Sequence, residues 1–208
     1  NWTTGTIYDY YRHDYGEYLT GTTNSNNANS GATTLFDATF YVLTAARNVY
    51  KCLDNNGNAQ STVEPTGTST SILSLADGYK WKYMYTLSAA QQANFLSTDF
   101  MAVETNSSVS SAAIDGAINI VKIKTAGSGG TDGTFTNVPI RGDGSNGAAT
   151  IVVSSGAVTS VTVTNAGTGY TFGTISNAQI VSAGSTNLVG AELDCIIEPK
   201  GGHGKNAV

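Results

Sequence analysis

Three acids near the start of the chain, Asp9, Asp14 and Glu17, are spaced so that they could approach one another. Paired carboxylates are what glycoside cleavage needs, and a cluster of acidic oxygens is the beginning of a calcium site. A polysaccharide-cleaving centre would have to be built from these three. A solvated acidic face is the plainer reading, because little else converges. The histidines are His13 and His203, no serine sits in a glycine-flanked elbow, and neither HExxH nor a paired CxxC occurs.

The remaining motifs point to turns more than to reactions. Asp54-Asn55-Asn56-Gly57-Asn58 resembles half a calcium loop, but the twelfth position from Asp54 is Pro65, with Glu64 one short of the bidentate acid. A hairpin turn is expected there. Gly127-Ser128-Gly129-Gly130 follows a strand but precedes no helix, so no helix terminus is present to hold a phosphate. Arg141-Gly142-Asp143 is read as a loop between strands. Gly201-Gly202-His203-Gly204 lets the backbone approach a neighbour closely, and His203 is expected to make a satisfied structural bond.

Aromatic residues carry the strongest signal. In DGYKWKYMYTL (77–87), Tyr79, Trp81, Tyr83 and Tyr85 alternate with Lys80, Lys82 and Met84, which is the period of a half-buried strand. That row is too much apolar area to leave wet, so another sheet or a subunit is expected to cover it, with the lysines facing solvent or an acidic partner. Tyr79, Trp81, Tyr83, Tyr85 and His203 are therefore the candidate interface residues. A sugar-stacking platform is the other use of such rings.

These residues need a scaffold, and composition says which kind. Charged residues make up 12% of the 208, and the net charge of −5 leaves no basic field for nucleic acid or anionic lipid. Abundant Gly, Ser, Thr and Asn fit a β-rich chain with many turns. No apolar run reaches the roughly 20 residues of a membrane span. The chain opens on Asn1-Trp2 and stops at Asn206-Ala207-Val208, and it is expected to be an internal fragment of a longer protein. Cys52 and Cys195 are read as two buried, reduced thiols.

Strands are expected near 4–10, at 39–44 and 48–53 around the tight Ala45-Ala46-Arg47-Asn48 connection, and at 79–85. Residues 20–34 read as a long exposed loop. One helix is expected after the aromatic strand, capped by Ser88 with Gln91 completing a capping box, and ending near Ser97. From about Asn106 aromatics nearly vanish and a repeat begins. Residues 116–140 align with 156–180 at an offset of 40, with 11 identities in 25 positions. The matched glycines fall at turns, and 147–153 has a looser counterpart in 190–197 after about three inserted residues. Two such units can close a small sandwich or barrel-like module.

Several stretches, in order, resemble one family: NWTTGTIYD (1–9), FYVLTAARNVYKCLDNNG (40–57), STVEPTGTSTSI (61–72), DGYKWKYMYTLS (77–88) and PKGGHGKNAV (199–208). They are similar to a baseplate wedge subunit of contractile-tailed bacteriophages, the gene-eight product type, nearest to the cyanophage forms. The repeat region resembles Gly-rich β repeats inserted in many phage structural proteins. The resemblance implies a non-enzymatic virion protein without cofactor or metal. It further implies a mainly β fold, a homodimer, and other wedge proteins as partners, with assembly in the host cytoplasm.

The expected architecture is mainly β. A discontinuous sandwich-like domain (1–105 with 199–208) with one short helix carries an inserted module (106–198, repeats about 116–155 and 156–198). The alternative is a carbohydrate-binding adhesin recognising host-surface glycan, for which Tyr170 at a repeat turn is the candidate contact.

Overall fold

A computed structural model describes residues 1–16, 26–98 and 100–207. Glu17 and the first part of the expected 20–34 loop lie outside the described residues. The chain is mainly β and divides into two compact units, Asn1–Ala113 with the return from His203, and Ile114–Gly202. Among the described residues no helix is long and apolar enough to cross a membrane.

The first unit is built on a four-stranded antiparallel sheet: β1 (Tyr41–Leu43), β2 (Asn48–Asp54), β3 (Leu73–Ser74) and β4 (Lys80–Thr86), in the order β1-β2-β4-β3. The β1–β2 hairpin turns at Arg47, whose φ is 65°. The Asp54 loop is the expected turn: Asn56, Gly57 and Asn58 all have positive φ, and Asp54 Oδ1 accepts from Asn56 N at 3.0 Å. The segment near 4–10 forms no strand; its only ladder contact is the isolated bridge Thr6↔Ser61.

β4 corrects the half-buried expectation, because both of its faces are covered. Trp81 and Tyr83 pair across β2 with Cys52 and Tyr50, while Tyr8 meets Trp81 edge-on and Tyr79 stacks on it at 5.5 Å. On the opposite face Lys82 is buried and its Nζ donates to the Thr70 carbonyl. Its cross-strand neighbour Lys51 is buried too, with Nζ 4.2 Å from the centroid of Tyr11. Long lysine stems pack like apolar chains, and a ring face accepts the ammonium. A central strand between two layers therefore tolerates alternating lysines.

Helix α1 (Ala89–Phe95) has the expected capping box, with Ser88 N donating to Gln91 Oε1 and Gln91 N to Ser88 Oγ. A second helix, α2 (Ser107–Ser111), is capped by Asn106, whose side chain accepts from Val109 N at 3.1 Å. Val109 is buried against Gly204, and Ser110 Oγ donates to the Lys205 carbonyl. These contacts hold α2 in the first unit, so the boundary falls at 113 and not at 105. At the other end Gly201 N donates to Asp115 and Gly202 lies against Ile114, which keeps 199–202 in the second unit.

The second unit contains β5 (Ile120–Ser128), β6 (Gly133–Pro139), β7 (Arg141–Gly142), β8 (Ala148–Ser154), β9 (Ala157–Asn165), β10 (Gly173–Ser176), α3 (Asn177–Ser182) and β11 (Val189–Ile196). Its two sheets run β5-β11-β10-β7 and β6-β8-β9. One apolar core joins residues of both, including Ile118, Val138, Ile151, Ile175 and Leu193.

The duplication is visible in this pairing, and it is crossed. β5, the first strand of repeat one, pairs with β11, the last strand of repeat two; β9, the first strand of repeat two, pairs with β8 of repeat one. Both ladders skip a residue at one equivalent place, and the β8–β9 ladder skips a second, Thr159, farther along. Lys124 is passed over between Thr125↔Glu192 and Ile123↔Leu193, and Thr164 between Asn165↔Ala148 and Val163↔Ala149. Backbone bonds match as well: Gly130 N donates to Gly156 O at 2.9 Å, and Tyr170 N, 40 residues on, to Gly116 O at 3.0 Å.

Candidate interaction surface

The sequence-predicted interface residues are interior. Tyr79 and Trp81 are fully buried, Tyr83 and Tyr85 nearly so, and all four are covered by their own unit. Their hydroxyls are committed to the chain: Tyr79 to Ala59 O at 2.6 Å and Tyr85 to Ala102 O at 3.2 Å. His203 is buried edge-on against Tyr11, with ring centroids 4.7 Å apart. Burial, with Lys51 and Lys82 nearby, holds its imidazole well below the ordinary value.

Tyr170, the glycan contact of the adhesin reading, is 3% exposed and cannot present a face for stacking. Its hydroxyl donates to Ile140 O and accepts from Gly147 N, both at 3.1 Å. The ring lies where side chains on Gly144, Gly147 and Gly167 would stand. Glycines there make room for one large core residue.

The two acids that are described, Asp9 and Asp14, each accept from a different set of neighbours. Asp9 accepts from the amides and hydroxyls of Ser30 and Thr39 at 2.7–3.1 Å. Burial raises its affinity for a proton, but these bonds outweigh that and hold the carboxyl below the ordinary range. Asp14 is clamped bidentately by Arg12 at 2.7 Å and also accepts from Asn26. Glu17 lies outside the described residues. Among those described, no group of three or more His, Cys, Asp or Glu is placed to hold a metal ion.

The turn motifs are likewise engaged. The Arg-Gly-Asp triplet, expected as a loop, instead places Arg141 and Gly142 in β7, paired with β10; Asp143 after them accepts from the Thr171 hydroxyl and amide and from Phe172 N, which pulls its carboxyl down to about 2. Cys52 and Cys195 are buried and in no disulfide, and burial beside Asp194 pushes the Cys195 thiol up to about 12.

The first unit exposes Ile7 at 38% and Phe36 at 95% before β1, and a further group of apolar residues after β4. Helix α1 buries none of its residues, and Phe95 at its end is 61% exposed. The chain then turns tightly, Ser97 N donating to Phe100 O at 2.9 Å and Phe100 N to Ser97 Oγ at 3.0 Å. This holds the Phe100 ring outward at 75% exposure, with Val103 beyond it at 57%. Leu96, Met101 and Ala102 point the other way and pack on the cluster of Leu43, Val49, Met84, Tyr85 and Leu87.

Between this segment and β1 runs a groove of about 530 Å³, lined by Tyr41, Val42, Leu43, Leu96, Phe100 and Met101 among others. β1 is the sheet's edge. Its bonds to β2 are flanked by Cys52 N→Phe40 O and Thr44 N→Asn48 O, so the peptide groups of Tyr41 and Leu43 aim away from β2. One of them, the Leu43 carbonyl, is taken by Trp2 N at 2.8 Å.

Comparison with family models, with curated proteins and with solved structures gives no match. The surface is therefore described by its own chemistry: an apolar, ring-bearing strip beside a sheet edge. It has a sequence cue that alternation in 79–85 overshadows. Ala89-Ala90-Gln91-Gln92-Ala93-Asn94 has no apolar stripe to bury, yet Phe95, Leu96, Phe100 and Met101 follow within a few residues.

Proposed function

We propose that this chain is a structural subunit that works by protein–protein assembly, of the kind that builds the baseplate wedge of a contractile phage tail. The observation carrying assembly is the exposed strip of Phe95, Phe100 and Val103 beside the β1 groove. A phenylalanine ring carries roughly 150–250 Å² when buried, so two rings at these exposures and one valine offer on the order of 300 Å². That is a large part of the apolar area in one side of a standard interface of about 800 Å² per partner. Exposed rings of this kind become the anchors of an interface. The wedge assignment is supported by the ordered stretches 1–9, 40–57, 61–72, 77–88 and 199–208, and its partners would be a second copy and other wedge proteins.

Light scattering on the purified chain, followed by capture assays against separately purified tail proteins, tests this. Phe100→Asp is expected to weaken association at least tenfold while leaving the circular dichroism spectrum unchanged. A chain that stays monomeric and ignores every tail component would sink the proposal.

A further inference from the structure

We propose that the half-unit of the 114–202 module is a self-recognition element, built to bind a second copy of itself, and that tandem duplication satisfies this binding within one chain. In one sheet β11 and β10 of repeat two lie between β5 and the short β7 of repeat one, while in the other β6 and β8 of repeat one receive β9 of repeat two. Neither repeat completes a sheet alone. The exchange is reciprocal, as an isologous contact between two copies must be.

The pairing is symmetric in detail. Thr164 follows Lys124 by 40 positions and Ala148 precedes Glu192 by 44, and the skip at Lys124 and Thr164 falls at the same point of both ladders. The shared glycines serve that contact. A side chain on Gly127 would stand 2.8 Å from Ala191 N and Val189 O; one on Gly167 would stand 2.5 Å from Ser145 O and 2.7 Å from Gly147 N. These acceptors and amides are themselves equivalents, 44 residues apart. So Gly127 at the end of β5 meets the start of β11, and Gly167, two residues past β9, meets the segment leading into β8, at φ of 71° and 63°. The partner such a half-unit fits is another copy of the same half-unit, recognised by backbone ladder and apolar alternation (Val121 and Ile123, or Val161 and Val163), to which the β5–β11 ladder adds the exposed Lys124–Glu192 ion pair at 3.1 Å.

Deleting residues 155–198 from the full chain removes one repeat at the structural period and tests the idea. The variant is expected to elute at twice its monomer mass. With Val121→Cys and Ile151→Cys added, oxidation should give a 121–151 disulfide between chains, because Val121 would take the register that Val161 holds against Ile151. A folded monomer, or the same disulfide within one chain, overturns the proposal. An independent reading uses the intact chain with a protease site in the turn between β8 and β9. After cleavage the two fragments should co-elute until the module unfolds; fragments that part in native buffer, each keeping its fold, also overturn it.

Discussion

The two units make β structure from opposite materials. The first holds both tryptophans and all but one of the tyrosines, and its interior is chemically mixed: Lys51, Lys82, Asp9 and His203 are buried among rings. The second has a core of small aliphatic residues and one tyrosine, and its buried polar side chains among the described residues are Ser185 and Glu198. In the first unit polar groups have individual arrangements, such as half-buried Asp77 gathering Thr62 N, Val63 N and Tyr79 N at 2.9–3.1 Å. In the second the same arrangement is used twice. A unit of unique contacts should fail locally when one is removed. A duplicated unit should fail in pairs, with equivalent positions giving equivalent losses.

The largest effect is expected where the second unit departs from its own symmetry. Tyr170 stands where the first repeat has Gly130, so its backbone bond is repeated but its side-chain contacts are not. Tyr170→Ala empties a site formed by glycines that cannot collapse inward, and about 3–5 kcal/mol should be lost. Tyr170→Phe keeps the ring but strands Gly147 N and Ile140 O, for about 1–3 kcal/mol. Hydrogen exchange on peptides from 114–202 reads this, and peptides from 40–87 should be unchanged. Faster exchange in both sets would show that the units do not fail separately.

Next in size are the glycines. Gly127→Ala and Gly167→Ala each combine left-handed backbone with a clash, about 1–2 kcal/mol for the first and about 1–3 kcal/mol for the second. Gly169→Ala has the same backbone (φ 75°) but open space, so only the smaller part applies. Urea midpoints should place the first two variants together and the third nearer the parent. A wide gap between Gly127→Ala and Gly167→Ala would break the two-fold description.

How far all this could be read in advance depended on the kind of contact. The mainly β class, the β1–β2 hairpin and the capped α1 follow from local chemistry that survives in the folded chain. Alternation at 79–85 located β4 but could not tell a strand covered once from one covered twice, because lysine is solvent-seeking at its tip and apolar along its stem. Helix α3 was legible but masked by the repeat. Gln179 Oε1 accepts from Ser176 N and Oγ, the same Ser-x-x-Gln signal as at Ser88, yet the first copy has Pro139 in that place and continues as a strand. The duplication was plain, whereas the exchange was not, since sequence identity does not say which copy a strand pairs with. The surface at Phe95 and Phe100 carries no periodic signal, whereas the regular rings of 79–85 belong to the interior of their own unit.

The smallest effect is the most specific to the first unit, because only there is a histidine buried beside cations. His203 is surrounded by Tyr11, Lys51 and Lys82, and burial followed by those two ammonium groups disfavours its charged form. Its folded pKa is depressed below 6.5, so the unfolded chain binds the proton more readily. Stability from this group is therefore complete above about pH 6.5 and falls as pH drops below it, by at most about 1.4 kcal/mol per pH unit. Asp9 and Asp14 are held below the ordinary carboxylate range and lose their contribution only as pH falls beneath about 4. Between pH 6.5 and 5 the slope then belongs to His203. Urea titrations followed by tryptophan fluorescence report the first unit, where both tryptophans lie. His203→Gln, which keeps a polar side chain but cannot charge, should flatten that slope while leaving exchange in 114–202 as it was. A slope that persists in the variant would show that the imidazole is not its source.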